Sequence, residues 1–308
     1  MPDDDPLLTL RDLESWSFAG TALGVLGHPI KHSISPQMQN AALAALARTD
    51  ARFADWRYFR FEIQPDDLPR ALALLHAKRF RGVNLTVPHK VIAFGLLDEV
   101  DEAAGPAGAV NTLYGPGDGW HGFNTDGYGL ASAVRESLGR ELGRAPVILL
   151  GAGGAARGAA VECLQQGCAS LFIINRTRQR LETLLAVLRP LLAGSVNLQG
   201  FASDDPRALT SAPPGALVIN ATSAGLRATD PAPVDLAALP RPAAVLDMIY
   251  NPSRTPLLRQ AEALGLPGAN GLTMLVHQGA KSLEIWSGVP AAQTAPAMLA
   301  AARAALGQ

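Results

Sequence analysis

The chain has 308 residues, of which 48% are hydrophobic and 17% are charged, and its formal net charge is -1. This length favours about two domains, and so apolar a composition is not that of a disordered chain. The near-neutral balance gives no global field that would attract nucleic acid or an acidic membrane surface, so neither is expected as a partner.

The start of the chain carries three aspartates within residues 1–5, which is unlike a secretory signal or a transit peptide. We expect residues 1–18 to form a loosely held extension. No apolar run approaches the roughly 20 residues that span a bilayer. Cys163 and Cys168 are the only cysteines. Their spacing fits neither a disulfide framework nor a zinc motif, so we predict buried free thiols, no metal site and a cytoplasmic location.

The first third of the chain alternates between strand-like and helix-like segments, which indicates an α/β layered domain. Strands are predicted over Thr21–Leu26, Arg57–Ile63 and Gly82–Val87, with a hairpin formed by Ala109–Tyr114 and Trp120–Phe123. Helices are predicted over Pro36–Arg48 with Ser35 as the N-cap, over Pro65–Lys78 and over Val91–Val100.

A second unit begins near Asp126 and contains strands that are apolar throughout, as strands buried on both faces are. These strands are Val147–Leu150, Leu171–Ile174, Leu217–Asn220 and Val245–Met248. The predicted helices are Gly127–Leu138, Ala155–Gln166, Gln179–Leu192, Gly271–Ser287 and Ala291–Leu306. The alternation predicts a doubly wound Rossmann domain over residues 126–276. Residues 1–125 plus 277–308 would form the first domain, because the last helices have no further strand to join.

A glycine-rich turn follows the first strand of the second unit. The segment 151–156 reads Gly-Ala-Gly-Gly-Ala-Ala and leads into a helix. Gly151 would permit the tight turn, Gly153 would let backbone N–H groups approach a pyrophosphate, and Ala156 would allow close packing of helix and strand. The pattern predicts dinucleotide binding, and a purely structural turn is the alternative.

The residues after the next strand indicate which dinucleotide is preferred. An NAD site usually places Asp or Glu there to bind the ribose 2′-hydroxyl. The segment 175–180 instead reads Asn-Arg-Thr-Arg-Gln-Arg. Arginine pairs well with a phosphate dianion, so NADP is favoured over NAD. The alternative is a solvated basic turn.

A lysine closes the run Gly82–Lys90, which reads GVNLTVPHK. Asn84 and Thr86 would share one face of the strand, because side chains alternate with period two. Pro88 would end the strand and leave Lys90 beside two hydrogen-bonding side chains. This arrangement suits a proton-transfer group beside a polyhydroxylated substrate, whereas a surface lysine is the simpler interpretation.

Nine motifs in order make the sequence resemble the shikimate dehydrogenase family from about Leu23 onward. They are His32–Pro36, Asn84–Lys90, Gly108–Thr112, Asn124–Gly127, Gly151–Ala155, Asn175–Thr177, Asn220–Ser223, Asp247–Pro252 and Asn270–Gln278. The resemblance implies a two-domain enzyme with a cleft between its lobes. Such an enzyme reduces 3-dehydroshikimate to shikimate reversibly with NADPH, within the biosynthesis of the aromatic amino acids.

The resemblance also implies a role for each matched residue. Lys90 would be the catalytic lysine and Asp126 its paired acid. Substrate would be bound through its carboxylate by Ser33 and Ser35, and through its ring hydroxyls by Asn84, Thr86, Asn111, Asp126 and Gln278, with Tyr250 nearby. Cofactor would be bound at the pyrophosphate by Gly151, Ala152, Gly153, Gly154 and Ala155, at the ribose phosphate by Asn175, Arg176, Thr177 and Arg180, and at the nicotinamide by Thr222, Ser223, Met248, Gly271 and Met274.

Several matched residues have a structural alternative. The two serines and Asp126 also suit helix caps, and Asn111 also suits a turn. Departures from the family pattern at Leu85, Pro106, Leu226 and Leu283 leave open a quinate or aminoshikimate dehydrogenase. A non-catalytic NADP-binding sensor is disfavoured, because such a protein should have lost Lys90 or Asp126. The oligomeric state is left as monomer or homodimer.

Overall fold

The computed structural model describes residues 6–192, 194, 196–227 and 229–308. The chain divides into two compact units. The first comprises residues up to Thr125 together with Val276–Gln308, and the second comprises Asp126–Leu275. Both units are mixtures of strands and helices built on largely parallel sheets, so the predicted two-domain α/β class is confirmed.

The first unit contains a mixed sheet with the strand order β1-β3-β2-β4-β6-β7-β5. Its strands are β1 (Leu7–Thr9), β2 (Thr21–Gly27), β3 (Trp56–Glu62), β4 (Gly82–Leu85), β5 (Glu99–Val100), β6 (Thr112–Tyr114) and β7 (His121–Phe123). Its amino-terminal helices are α1 (Leu10–Glu14), α2 (Ser35–Ala47), α3 (Leu68–Ala77) and α4 (His89–Phe94). Strands β1, β3, β2 and β4 run parallel to one another, whereas β6 is antiparallel to both β4 and β7.

The amino-terminal segment differs from the predicted loose extension. Residues 1–5 lie outside the described residues, but β1 pairs in parallel with β3, and Leu13 of α1 is completely buried. Trp16 packs edge-on against Phe59, with ring centroids 4.7 Å apart. The prediction is therefore wrong for residues 7–16, because a three-residue strand is too short to show the alternation that identifies a strand.

Other predicted element boundaries in the first unit differ from the observed ones. Strand β4 ends at Leu85 instead of Val87, so Thr86 follows the strand and does not share a strand face with Asn84. The predicted helix Val91–Val100 is the shorter helix α4, and Glu99–Val100 pairs with β7 as a strand. A 3-10 turn at Pro65–Asp67 precedes α3. Ser35 is the first residue of α2, and Ile34 holds the N-cap position.

The second unit contains a parallel sheet with the strand order β10-β9-β8-β11-β12-β13. Its strands are β8 (Pro146–Leu150), β9 (Ser170–Asn175), β10 (Asn197–Ala202), β11 (Leu217–Asn220), β12 (Ala244–Asp247) and β13 (Gly268–Asn270). Its helices are α5 (Asp126–Leu138), α6 (Gly154–Gln165), α7 (Arg178–Leu188), α8 (Arg207–Thr210) and α9 (Pro256–Ala263). In chain order this is the 3-2-1-4-5-6 arrangement of a Rossmann fold.

Helices cover both faces of this second sheet, which explains its apolar strands. Val147 and Leu149 of β8 contact one hydrophobic core, while Ile148 and Leu150 contact the other. Cys163 is buried in the first of these cores. Both cysteines are free and buried, as predicted, and burial raises the pKa of the Cys168 thiol to about 11.

The chain ends in two long helices, α10 (Leu272–Ser287) and α11 (Ala291–Ala305). From Val276 onward they belong to the first unit, where α11 packs on α2. The Gln39 side chain of α2 donates a hydrogen bond of 2.9 Å to the carbonyl of Gly279 in α10. The predicted return of the last helices to the first domain is confirmed. Within the described parts of the chain, no helix is long and apolar enough to cross a membrane.

Candidate active site

The predicted substrate residues of the first unit cluster where its parallel strands end. Strands β2 and β4 pair through Leu26 and Leu85, so the loops that follow them start at the same edge of the sheet. Ser33 and Ser35 follow β2, and Thr86 and Lys90 follow β4. In open α/β sheets, ligands bind outside the carboxyl ends of the strands. The sheet topology therefore gives these residues the position that a substrate site requires.

A buried arginine supports the serine loop. Arg60 of β3 is 3% exposed, and its Nη1 donates to the carbonyls of Lys31 at 2.7 Å and of Ser33 at 3.1 Å. The Ser33 hydroxyl accepts a hydrogen bond of 3.3 Å from the N–H of Ser35, but Ile34 holds the N-cap position of α2, so neither serine is the N-cap. A guanidinium beneath two serines makes the loop electropositive, which suits a substrate carboxylate.

The backbone of Lys90 is anchored on both sides. Its carbonyl accepts a hydrogen bond of 3.0 Å from the N–H of Val110. The preceding residue, His89, is fully buried, and its Nε2 lies 2.9 Å from the carbonyl of Ile63. Burial lowers the pKa of His89, so this imidazole is neutral near pH 7 and serves as an anchor. The half-buried Lys90 thus starts from a fixed main chain.

Asn111 brings two predicted site segments together. Its Oδ1 accepts from the N–H of Thr125 at 2.8 Å, and its Nδ2 donates to the Thr125 hydroxyl at 2.9 Å and to Gln278 Oε1 at 3.2 Å. The predicted ring-hydroxyl residues Asn111 and Gln278 are therefore in direct contact. Thr125 immediately precedes Asp126, so this network also fixes the main chain from which the predicted acid emerges.

Asn84 lies deeper than its predicted role suggests. Its Nδ2 has three acceptors within reach: the Asn111 carbonyl at 3.0 Å, Thr112 Oγ1 at 3.1 Å and Ser282 Oγ at 2.9 Å. Its Oδ1 accepts from the Tyr58 hydroxyl at 2.8 Å. Asn84 is therefore the centre of a buried polar network, and its contact with a ring hydroxyl stays a prediction.

Tyr58, Thr112, Thr125 and Ser282 are network residues to which the sequence analysis gave no role. Thr112 and Thr125 lie inside matched motifs, beside assigned residues, which is a signal that could have found them. Ser282 and Tyr58 carried no such signal. Thr86, in contrast, packs its methyl group toward β2: a Cβ on Gly27 would lie 2.5 Å from Thr86 Cγ2. Gly27 thus leaves room for the threonine.

The glycine turn of the second unit has an open approach. Gly151 follows β8 with φ of +114°, a conformation that favours glycine. Gly153 and Gly154 are exposed, and a Cβ on either would meet no atom within 4 Å. Helix α6 begins at Gly154 without a side-chain cap. The first N–H groups of α6 are therefore available to a ligand, and the positive end of the helix dipole suits a pyrophosphate.

The end of β9 carries cations and no carboxylate. The Asn175 side chain donates to the carbonyl of Thr177 at 2.8 Å, which shapes the turn. Arg176, Arg178 and Arg180 are exposed. The nearby Asp205 is paired with Arg207, which lowers the pKa of Asp205 to about 2. The residues present therefore fit a 2′-phosphate better than an unsubstituted ribose.

The predicted nicotinamide residues follow three neighbouring strands: Thr222 and Ser223 lie after β11, Met248 after β12, and Gly271 and Met274 after β13. A Cβ on Gly151 would lie 3.1 Å from Thr222 Cγ2, so the glycine turn and the loop after β11 are in contact. A Cβ on Gly271 would lie 2.0 Å from the Met248 carbonyl, so only glycine fits there. Exposed Ser223 follows Thr222, and Met274 packs against the core of the unit.

Two predicted substrate residues belong to the second unit. Asp126 is the first residue of α5, where a negative charge stabilises a helix, and this placement does not make it the N-cap. Its pairing with Lys90 stays a prediction. Tyr250 follows β12, and burial raises the pKa of its phenol, so the hydroxyl stays protonated near neutral pH.

A Rossmann unit with an open glycine turn and a basic cluster, together with a unit whose polar residues cluster at strand ends, defines a two-domain dinucleotide-dependent oxidoreductase. Residues 25–113 match the model of the shikimate dehydrogenase substrate binding domain, and residues 271–303 match that of the shikimate 5'-dehydrogenase C-terminal domain.

Known proteins support a closer assignment. Shikimate dehydrogenase (NADP(+)) of Symbiobacterium thermophilum is 42% identical over 272 residues, which cover 87% of this chain and 90% of that protein. Shikimate 5-dehydrogenase of Thermus thermophilus, solved in complex with NADP(H) and shikimate, is 34% identical with a TM-score of 0.77. That match covers 92% of this chain and 99% of the other. Ligand-free 5-ketofructose reductase of Gluconobacter sp. strain CHM43 is 31% identical with a TM-score of 0.78, over the same shares. The chain belongs to the shikimate dehydrogenase family, so the resemblance found in the sequence is confirmed.

Proposed function

We propose that this protein is an NADP-dependent shikimate dehydrogenase that reversibly reduces 3-dehydroshikimate to shikimate. Its relatives carry that name, and one solved neighbour was crystallised with shikimate and NADP(H). The observation that supports the proposal most is the joined substrate cluster of the first unit. There Asn111 contacts Gln278, and the backbone of Lys90 is bonded to Val110, the neighbour of Asn111.

The chemistry follows from the residue types. NADPH, held by the glycine turn and the basic cluster after β9, would supply a hydride to the ketone carbon when bound. Lys90, as an ammonium group, then donates a proton to the alkoxide oxygen that forms, and in the reverse direction the amine accepts that proton. Asp126 is proposed to orient the Lys90 side chain as its paired acid. The serine loop over Arg60 would hold the substrate carboxylate.

Substituting Lys90 tests this role. Lys90→Met removes the amine and keeps an unbranched side chain as far as Cε, so kcat should fall by roughly 10²-fold or more, the usual contribution of a general acid. Lys78→Met is a matched control, because it makes the same change at an exposed lysine whose Nζ contacts only the Trp16 carbonyl among the bonds described. Turnover near that of the wild-type protein in Lys90→Met would refute the assignment.

Substrate preference requires its own experiment. A quinate or aminoshikimate dehydrogenase is the second candidate, and the similarity to a 5-ketofructose reductase shows that a related chain reduces a different ketone. We expect kcat/KM to be highest for shikimate with NADP in a panel that includes quinate, aminoshikimate and 5-ketofructose. A preference for quinate, or for NAD, would overturn the specific proposal and leave family membership intact.

We also propose that the protein works in the cytoplasm, as a monomer or homodimer. Two buried free thiols are compatible with a reducing compartment.

A further inference from the structure

A fully buried carboxylate lies in the second unit with no role in the mechanism above. Asp247 is the last residue of β12 and is 0% exposed. Asp247 lies within the matched motif Asp247–Pro252, and no role was predicted for it. Burying a charged group costs free energy unless hydrogen bonds compensate it. The contacts that compensate Asp247 therefore show what the residue holds in place.

Three neutral donors bind this carboxylate. Oδ1 accepts from Asn220 Nδ2 at 3.0 Å and from the N–H of Ile249 at 3.1 Å. Oδ2 accepts from the Thr255 hydroxyl at 2.6 Å. Burial raises the pKa of Asp247, whereas these three bonds favour its charged form and oppose that shift. The carboxylate thus joins the ends of β11 and β12 to the start of α9.

One chain of contacts leads from Asp247 to the glycine turn. Asn220, itself fully buried, uses its Oδ1 to accept from the N–H of Thr222 at 3.0 Å and from the Thr222 hydroxyl at 2.7 Å. The same hydroxyl accepts from the N–H of Ala224 at 3.1 Å. The loop held in this way is the one that contacts Gly151.

A second chain of contacts leads from Asp247 to Gly271. The N–H of Ile249 donates to Asp247, and the carbonyl of Ile249 accepts from the N–H of Gly271 at 3.1 Å. Met248, between Asp247 and Ile249, has its carbonyl against Gly271. Through these two chains a single carboxylate orders the segments that carry Thr222, Met248 and Gly271.

We infer that Asp247 is a positioning residue for the nicotinamide half of the cofactor site. This inference rests on the proposed function, because it concerns the NADP that the function requires. Asp247 acts by hydrogen bonding: it sets the geometry of the loops after β11 and β12. The adenosine half, at the end of β9, lies outside both chains of contacts.

The test compares two ligands that share the adenosine 2′-phosphate. NADPH has the nicotinamide, and adenosine 2′,5′-bisphosphate lacks it. Asp247→Ala removes three acceptor contacts, so the Kd for NADPH should rise at least about tenfold, since a hydrogen bond to a charged group is worth roughly that factor. The Kd for the bisphosphate should stay within about twofold. Both constants are measured by titration calorimetry, without turnover.

Two further variants make the result decisive. Asp247→Asn keeps one oxygen for Asn220 and Ile249 and offers its NH2 to the Thr255 hydroxyl, so NADPH affinity should stay within about threefold of wild type. Thr255→Val removes the 2.6 Å bond to Asp247 and the 3.3 Å bond that the Thr255 hydroxyl accepts from the N–H of Leu258, and it serves if Asp247→Ala does not fold. It should weaken NADPH binding by about threefold, with no effect on the bisphosphate.

A matched control is Asp235→Ala. Asp235 is an exposed aspartate of the second unit whose carboxylate accepts from the N–H of Ala237 in a 3-10 turn, and both affinities should be unchanged. Equal weakening of both ligands in Thr255→Val, or unaltered NADPH binding in folded Asp247→Ala, would overturn the inference. Loss of affinity in Asp247→Asn as large as in Asp247→Ala would overturn positioning by hydrogen bonds. Failure of the wild-type protein to bind NADPH would instead reject the proposed function itself.

Discussion

Replacing Asn84 by alanine would show whether this residue supports the fold or binds the substrate. Asn84 is the acceptor for the hydroxyl of Tyr58, which is 0% exposed. Burial raises the pKa of the Tyr58 phenol well above its usual value, so this hydroxyl is always a donor. Asn84→Ala would leave that donor buried without the partner it now has. The network interpretation therefore predicts a large loss of stability.

The size of the loss follows from the contacts. A buried donor left without an acceptor costs about 1–3 kcal/mol. Truncating a packed side chain adds a cavity term, so we expect a total of about 2–4 kcal/mol for Asn84→Ala. At about 2–4 °C per kcal/mol, the midpoint of thermal unfolding should fall by roughly 4–16 °C.

The assay is a double-mutant cycle that combines Asn84→Ala with Tyr58→Phe, in which the free energy of unfolding of each variant is measured in urea. In wild type, Tyr58→Phe removes a good hydrogen bond and should cost about 1 kcal/mol. In the Asn84→Ala background it removes the stranded hydroxyl, so it should restore about 1 kcal/mol or more. Asn40→Ala is the matched control, since the hydrogen bonds described for Asn40 go to the backbone of Tyr58, at 3.0 Å and 2.9 Å, and it should show no such coupling. Equal effects of Tyr58→Phe in both backgrounds would refute the network, and a KM for shikimate raised about tenfold without loss of stability would assign Asn84 to the substrate.

Three further predictions concern the second unit. Gly271→Ala places a Cβ 2.0 Å from the Met248 carbonyl and should destabilise the unit by about 1–3 kcal/mol in urea, whereas Gly153→Ala, with nothing within 4 Å, should not. Burial raises the pKa of Glu162 above 4.5, so its ionised form opposes folding above that pH. Glu162→Gln should therefore stabilise the protein increasingly as pH rises above 4.5, and a gain that grows toward acid would contradict this. Arg176→Ala should raise KM for NADPH about tenfold and leave KM for NADH unchanged, because it removes one charge-assisted contact with the 2′-phosphate.

The sequence predicted best those strands whose residues are all buried. Leu217–Asn220 was predicted with its observed bounds because all four residues are buried, as helices on both faces of the sheet require. Strand β10 was missed, since its residues 197–201 are exposed or half-buried and show no apolar run. Strand β13, with Gly268–Asn270, pairs through its backbone and has hardly any side-chain pattern. Edge strands of this kind form by pairing with the neighbouring strand, and the local sequence pattern does not indicate that pairing.

The candidate site shows the same division between local and non-local information. The sequence predicted that Lys90 follows β4 and that the serines follow β2. Because these strands are parallel neighbours, the loops after them start at one edge of the sheet. The hydrogen bonds of Asn84 depend on partners as distant as Ser282, which is 198 residues away along the chain. A buried polar side chain must find a partner, but its sequence neighbourhood does not say which one. The network that holds Asn111 against Gln278 is therefore a product of the folded sheet and α10. Asn111 and Gln278, two of the side chains proposed to bind the ring hydroxyls, are therefore oriented before substrate arrives, which lowers the entropic cost of binding it in a reactive geometry.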